Sequence, residues 1–432
     1  MHRTPDTPTE ATRFRFLWFG QAVSQLGDYI ALFAVPFFVF DQLTDDPAWF
    51  GRIFFAETIP AVLFGVTSGL LLDRWSRPRL MVGSDLLRAI LFVAMAAFAD
   101  GRFGGGPWTV MALSFLLGTA AAGFNASLYA YLPSLVRSSE LTAANARLRV
   151  TQQFFFVLGP AIAGLVIALF GFPFAFMLNA GTFVVSSLTL LALPIERLKP
   201  EPTETYVAGT MEGLRFVWRN PILRYVTIGA FMTNFLNSYV ESVLVLLSES
   251  VFGVSDAQGT SYIFAVFGLG GVLGALTARR VTASIGLGRT FVLGMAIWGV
   301  GILASTFTAE LAIALPVFAA AGFGLPWVVV ANTTVRQVAT PPHMLGRVTA
   351  AASGLVMAAL PIGALLLTSV ASSAGVVLVA RIVPSTLLLT AVLLVFTPLW
   401  REHQYTIDLT EVEEDEPTGE PARDSEFDRF EL

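Results

Sequence analysis

The sequence predicts an all-α membrane protein whose twelve transmembrane helices form two pseudo-symmetric six-helix bundles. Three observations carry this expectation. Hydrophobic residues make up 55% of the 432 and charged residues only 13%. The mean hydropathy is +0.70, so the chain holds more apolar surface than a soluble core of this length buries. Apolar stretches long enough to cross a hydrocarbon layer about 30 Å thick recur from Phe14 to Trp400. Finally, stretches such as 222–247 and 376–399 are continuously apolar or nearly so, unlike the alternating segments of a membrane barrel.

Residues 1–13 are polar and rich in Pro and Thr, and lead straight into a first span that acts as its own insertion signal. Apolar runs then place spans near 14–40, 49–72, 79–99, 108–133, 145–170 and 174–193, an N-terminal bundle over 14–193. The polar stretch 194–220 is a cytoplasmic linker. In it Met211, Leu214, Val217 and Trp218 share one helical face beside Arg215 and Arg219, the pattern of an interfacial helix. Further spans near 221–247, 258–278, 290–307, 309–333, 345–370 and 376–399 make a C-terminal bundle over 221–399. Residues 400–432 read as an acidic, disordered cytoplasmic tail: 12 Asp and Glu stand there against Arg401, Arg423 and Arg429, and the net charge of -5 becomes +4 without it.

With both termini cytoplasmic, 22 of the 26 basic residues fall in inside segments or the span ends adjoining them. Only Arg52, Arg88, Arg102 and Arg381 lie elsewhere, so the positive-inside rule sets the topology. The two bundles also echo each other. Gly69, Asp73 and Arg74 at the end of span 2 recur as Gly274, Ala278 and Arg279 after span 8, and Arg137 and Arg147 recur as Arg336 and Arg347.

The chain has no cysteine, and His2, His343 and His403 lie at the termini or in a loop, which excludes thiolate, haem and His-rich metal chemistry. No triad or nucleotide loop supports an enzyme, and no metal or cofactor is expected. Ionisable residues inside spans are costly in lipid and normally face a cavity. Asp28 is therefore the first candidate for proton coupling, with a helix-packing hydrogen bond to Ser24 or Gln25 as the alternative reading. Glu57 and Glu241 are further carboxyls, and Asn125, Gln152, Asn234, Asn237 and Asn332 are candidates to line a cavity between the bundles. Each such amide alone is more often interhelical glue. The 37 Phe suggest a greasy cavity suited to an apolar or amphiphilic substrate.

The run GLLLDRWSRPR over 69–79 resembles the signature loop of the major facilitator superfamily. There the glycine lets two helices pack closely, while the aspartate and arginines latch the two halves together. Gly69, Asp73, Arg74 and Arg77 match position for position; Ser76 and Pro78 depart from the pattern. Asp85 and Arg88, three residues apart on span 3, are expected to pair and to join that cluster. Gly159, Pro160 and Gly164 on span 5 resemble a motif that marks antiporters of this superfamily, with Ala163 in place of one glycine.

Together with FRFLWFGQAVSQLGDYIALFAVPFFVF at the start and GLRFVWRNP in the linker, these runs resemble the twelve-helix drug exporters related to bacterial macrolide-efflux and siderophore exporters. The resemblance covers residues 14–399. It implies a monomer in the cell membrane that exports small lipophilic compounds against protons by alternating access, with no nucleic-acid partner. Span 4 lacks the basic residue that many proton-coupled relatives carry. Two other readings remain open: a dedicated exporter of a siderophore or other metabolite, or a lysolipid flippase; and, in another class, a membrane sensor or scaffold on the same fold that does not transport.

Overall fold

A computed structural model of the chain describes residues 10–72, 76–137, 140–194, 204–253 and 257–401. The elements are α1 (Glu10–Gln42), α2 (Ala48–Leu72), α3 (Arg77–Ala99), α4 (Pro107–Leu135), α5 (Leu141–Leu191), α6 (Glu204–Arg219), α7 (Pro221–Phe252), α8 (Ala257–Ile285), α9 (Leu287–Ser305), α10 (Leu311–Val338), α11 (Leu345–Ala374), α12 (Val376–Val395) and α13 (Pro398–Arg401). Among the described residues, nine helical stretches are long and apolar enough to cross a membrane. The 25-residue α2, the 32-residue α7 and the first arm of α5 complete twelve spans.

A straight helix of 51 residues would run some 75 Å, far more than a bilayer, so α5 has to turn. It does so at Gly171, whose φ of 77° is open to glycine and strained for other residues. The contacts of α1 show the direction of each arm. Trp18 and Tyr29 of α1 meet Thr151 and Gly159 of the first arm, which is a parallel pairing. Gly20 and Gly27 meet Thr189 and Asn179 of the second, which is antiparallel. The chain therefore folds back at Gly171 and clasps α1 from two sides.

The repeat shows in close helix approaches. Gly118 of α4 lies so near the Glu57 carbonyl of α2 that any Cβ would collide with it, and Gly322 of α10 lies equally near the Phe267 carbonyl of α8. Only glycine admits these backbones to each other. Gly118→Ala is expected to cost about 1–3 kcal/mol by overpacking; a lowered melting temperature of the detergent-purified protein checks it.

The halves meet along the face opposite the termini. Phe33 of α1 packs edge-on against Phe264 of α8 at 4.7 Å, and Phe37 and Phe50 sit inside the core of the C-terminal half. Gly51 of α2 abuts Ala364 and Thr368 of α11. At the rim, the Ser372 hydroxyl at the end of α11 donates to Asp46 Oδ1 at 2.7 Å, the Ala48 amide donates to the same oxygen at 2.9 Å, and Arg52 lies 3.4 Å from Asp46 Oδ2. On the terminal face each half has its own cluster: one around Phe14, Phe124 and Tyr131, the other around Val217, Met344 and Val348.

In the linker helix the expected apolar face is divided. Val217 is buried with Leu223 and Val348, but Met211 and Trp218 are exposed. The reason lies in Gly213, which presses against the Arg347–Val348 backbone of α11 while Glu212 pairs with Arg347 at 2.6 Å. Docking thus uses the glycine side of α6 and leaves the Met211 and Trp218 side outward. Residues 1–9 and 402–432 of the two predicted tails lie outside the described residues.

Candidate functional site: a charged cavity in the N-terminal bundle

The midsection of the N-terminal half encloses a cavity of about 220 Å³, lined by residues of α1, α2, α3, α4 and α5. From α1 come Gln21, Ser24, Gln25, Asp28 and Tyr29; α2 adds Glu57, α3 Arg88, α4 Phe124 and Asn125, and α5 Gln152. Glycines hold the walls in register. Gly27, beside Asp28, packs on Asn179 and Thr182; Gly159 packs on Tyr29; Gly118 pins the Glu57 backbone.

Arg88 organises the charges. One amino group reaches Asp85, one turn back on α3, in a close hydrogen-bonded pair, and the other lies 3.5 Å from Asp28 Oδ2. The guanidinium is held between aromatic faces, 4.1 Å from the Phe183 ring and 4.8 Å from Phe124. Asp85 is wholly buried, whereas the Asp28 side chain keeps 44% of its surface open to the cavity. The site is thus a sealed acid, a clamped cation and an accessible acid in sequence, with Glu57 entering from a third helix.

This arrangement corrects the expectation for Asp85 and Arg88. Arg88 stands eleven residues into α3, some 16 Å from Arg77, and turns toward α1. Arg77 donates instead to the Ala130 carbonyl of α4 at 2.8 Å. Asp28 accordingly has an intramembrane cation beside it, on span 3 rather than span 4. Ser24 donates to the Gln21 carbonyl rather than to Asp28.

Of the other predicted residues, Asn125 and Gln152 line the cavity and accompany Asp28 and Glu57. Asn234 and Asn332 do not line it. The Asn234 amide donates to the Val356 carbonyl, bridging α7 and α11, and Asn332 Oδ1 accepts from Arg336. Asn237 lies on α7 away from the cavity. Gly159 and Gly164 are buried in the first arm of α5, with Pro160 in the same helix. Gly69 is in the last turn of α2; Asp73 and Arg74, and the side chain of Glu241, lie outside the described residues. Sequence reasoning did not single out Tyr29 or the Phe124 and Phe183 clamp. No group of three or more metal-ligating side chains occurs among the described residues.

Comparison with known proteins agrees with this architecture. The chain is 28% identical over 406 residues to the multidrug efflux pump Tap of Mycolicibacterium fortuitum, covering 92% of this chain and 98% of that one. It is 23% identical over 380 residues to macrolide efflux protein A of Streptococcus pyogenes, covering 84% and 90% respectively. Among solved structures, a bacterial homologue of the iron transporter ferroportin superposes with a TM-score of 0.69 at 16% identity, over 88% of this chain and 98% of that one. A bacterial homologue of the lysosomal transporter Spinster superposes with a TM-score of 0.67 at 15% identity, over 91% and 97%. The sequence pattern of the Major Facilitator Superfamily matches residues 17–364, and with two six-span halves around a charged midsection the chain belongs to that family of transporters.

Proposed function

We propose that the chain is a secondary active exporter of small lipophilic or amphiphilic compounds, working by alternating access and coupled to protons through the N-terminal cavity. The observation that carries this reading is the cavity itself: Asp28 and Glu57 stand inside a membrane-spanning bundle and line a space of about 220 Å³. Intramembrane carboxyls in such a place are costly and mark ion or substrate paths. The relatives named as efflux pumps support export, and closure of the seam from Asp46 to Thr368 fits one end state of a rocking cycle. Both termini are cytoplasmic in this reading, in the cell membrane, because that orientation puts the arginine-rich ends inside. The protein acts as a monomer.

Efflux of a panel of lipophilic dyes and macrolides from cells expressing the chain tests the reading. Protonophore-sensitive extrusion is expected, lost in Asp28→Asn at equal expression. Extrusion of no panel member would instead favour a dedicated metabolite or lipid transporter.

A further inference from the structure

On the terminal face the two halves treat their arginines differently. At the end of α2 the sequence sets Asp73 beside Arg74; at the echoing place on α8 a buried Ala278 stands beside Arg279, and Arg280 follows. Residues 209–401 hold ten arginines. All but Arg381 lie on α6, on α13 or within two turns of the helix ends that make up the terminal face. Among the described side chains the one acid on that face is Glu212, which Arg347 already holds at 2.6 Å. Arg279 and Arg280 are exposed and have no carboxylate partner among the described residues.

The matching counter-charge is carried by the chain itself. Residues 402–432, outside the described residues, hold 12 Asp and Glu against Arg423 and Arg429, and five of the six positions over 411–416 are acidic. This segment is attached on the same face of the same half. Leu399 of α13 sits on Gly288 at the start of α9, and the Arg289 guanidinium lies 5.7 Å from the Trp400 ring. Gly286 alone joins α8 to α9, so Arg280 stands within about 10 Å of that turn at 1.5 Å per helical residue. The steps from Arg401 to Glu413 reach up to about 40 Å, ample to bring the acidic run to the end of α8. A short tether also holds it there at an effective concentration in the millimolar range.

We infer that the acidic segment 402–432 docks on the arginine rim of its own C-terminal half, with the run 411–416 against Arg279 and Arg280. The tether thus delivers the acid that α8 lacks at Ala278. The contact joins carboxylates to guanidiniums at a wet surface, where each pair alone is worth little and several together hold. It is therefore reversible and screened by salt. Rim and tether belong to one half, so a rocking motion of the two halves does not stretch the contact. While docked, the segment occupies the surface that anionic lipid headgroups of the same charge would otherwise take.

The test uses the full chain in phosphatidylcholine nanodiscs. Because the native chain has no cysteine, S284C places a single bimane label one turn past Arg280, at an exposed position of α8, and T418W places a contact quencher just beyond the acidic run. Quenching at low salt, measured against the same labelled chain without T418W, is expected, and it should fall about twofold or more at 1 M salt, where the Debye length is about 3 Å. Neutralising the run (E413Q/E414Q/D415N/E416Q) or the rim (R279Q/R280Q) should each reduce quenching to a similar degree at low salt. Gel filtration confirms that every variant is folded. Quenching that ignores salt, persists undiminished in either neutralised chain, or is absent from the starting chain overturns the proposal. Absence of quenching together with phosphatidylglycerol that co-purifies with wild type and is lost from R279Q/R280Q assigns the rim to lipid headgroups instead, and overturns it equally. The readout involves no transport, so its outcome is independent of the export reading.

Discussion

Arg88→Gln is expected to produce a large loss of stability in the N-terminal half. It leaves Asp85 wholly buried and without its cation. Breaking one side of a buried ion pair costs about 3–5 kcal/mol, a large part of the roughly 5–15 kcal/mol that holds a folded domain together. The Phe124 and Phe183 faces lose their guanidinium as well. A marked fall in melting temperature in detergent is the expected reading. The double substitution Asp85→Asn with Arg88→Gln removes both charges and should recover most of that fall, since replacing a whole buried pair by neutral groups is often close to neutral. If the single variant melts like wild type, the clamp has no structural weight.

The second large effect concerns the seam opposite the termini. Because the native chain has no cysteine, D46C combined with S372C creates one defined disulfide across the 2.7 Å contact between the loop before α2 and the end of α11. Oxidation is expected to stop extrusion and a reductant to restore it, measured as dye efflux from the same cells. Continued extrusion with the bond demonstrably formed would mean that this seam stays shut throughout the cycle. The native contact is also sensitive to acid. Burial raises the Asp46 carboxyl, but the Ala48 amide, the Ser372 hydroxyl and the charge of Arg52 outweigh it and hold the group below its ordinary value of 3.8. A depressed carboxyl contributes its stabilisation above its unfolded value and loses it as pH falls through the folded one. The seam is therefore expected to be intact at neutral pH and to loosen only below about pH 4, where spin labels at Q42C and S373C, with Asp46 and Ser372 kept native, would move apart.

Much of this fold was legible because lipid leaves the backbone so few choices. Apolar run lengths located the spans, and the break expected between 170 and 174 coincides with the turn at Gly171. The three-residue spacing of Asp85 and Arg88 correctly announced their pairing. Depth along a helix, however, says nothing of the direction a side chain faces. The meeting of Arg88 with Asp28, sixty residues away, depends on how α1 is clasped by the arms of α5, a relation absent from any local pattern. The same limit explains Asn234 and Asn332: an amide bonded to a neighbouring helix or within its own looks, in sequence, like one that lines a cavity. The echo between Gly118 and Gly322 was equally hidden, since the two glycines are matched by what their backbones touch rather than by flanking residues. Of the signature loop, Arg77 has a defined partner, the carbonyl of Ala130; Asp73 and Arg74 remain candidates for the latch on resemblance alone.

The docking of α6 on α11 also sets a mechanical limit. With Glu212 paired to Arg347 and Gly213 seated on the backbone, the linker helix travels as cargo of the C-terminal half. The covalent leash between the halves is then only the ten peptide steps from Pro194 to Glu204. Fully drawn out, those steps reach about 35 Å, which caps the stroke of the terminal face whatever the substrate. Shortening the leash by deletion would throttle that stroke while leaving every residue of the cavity in place.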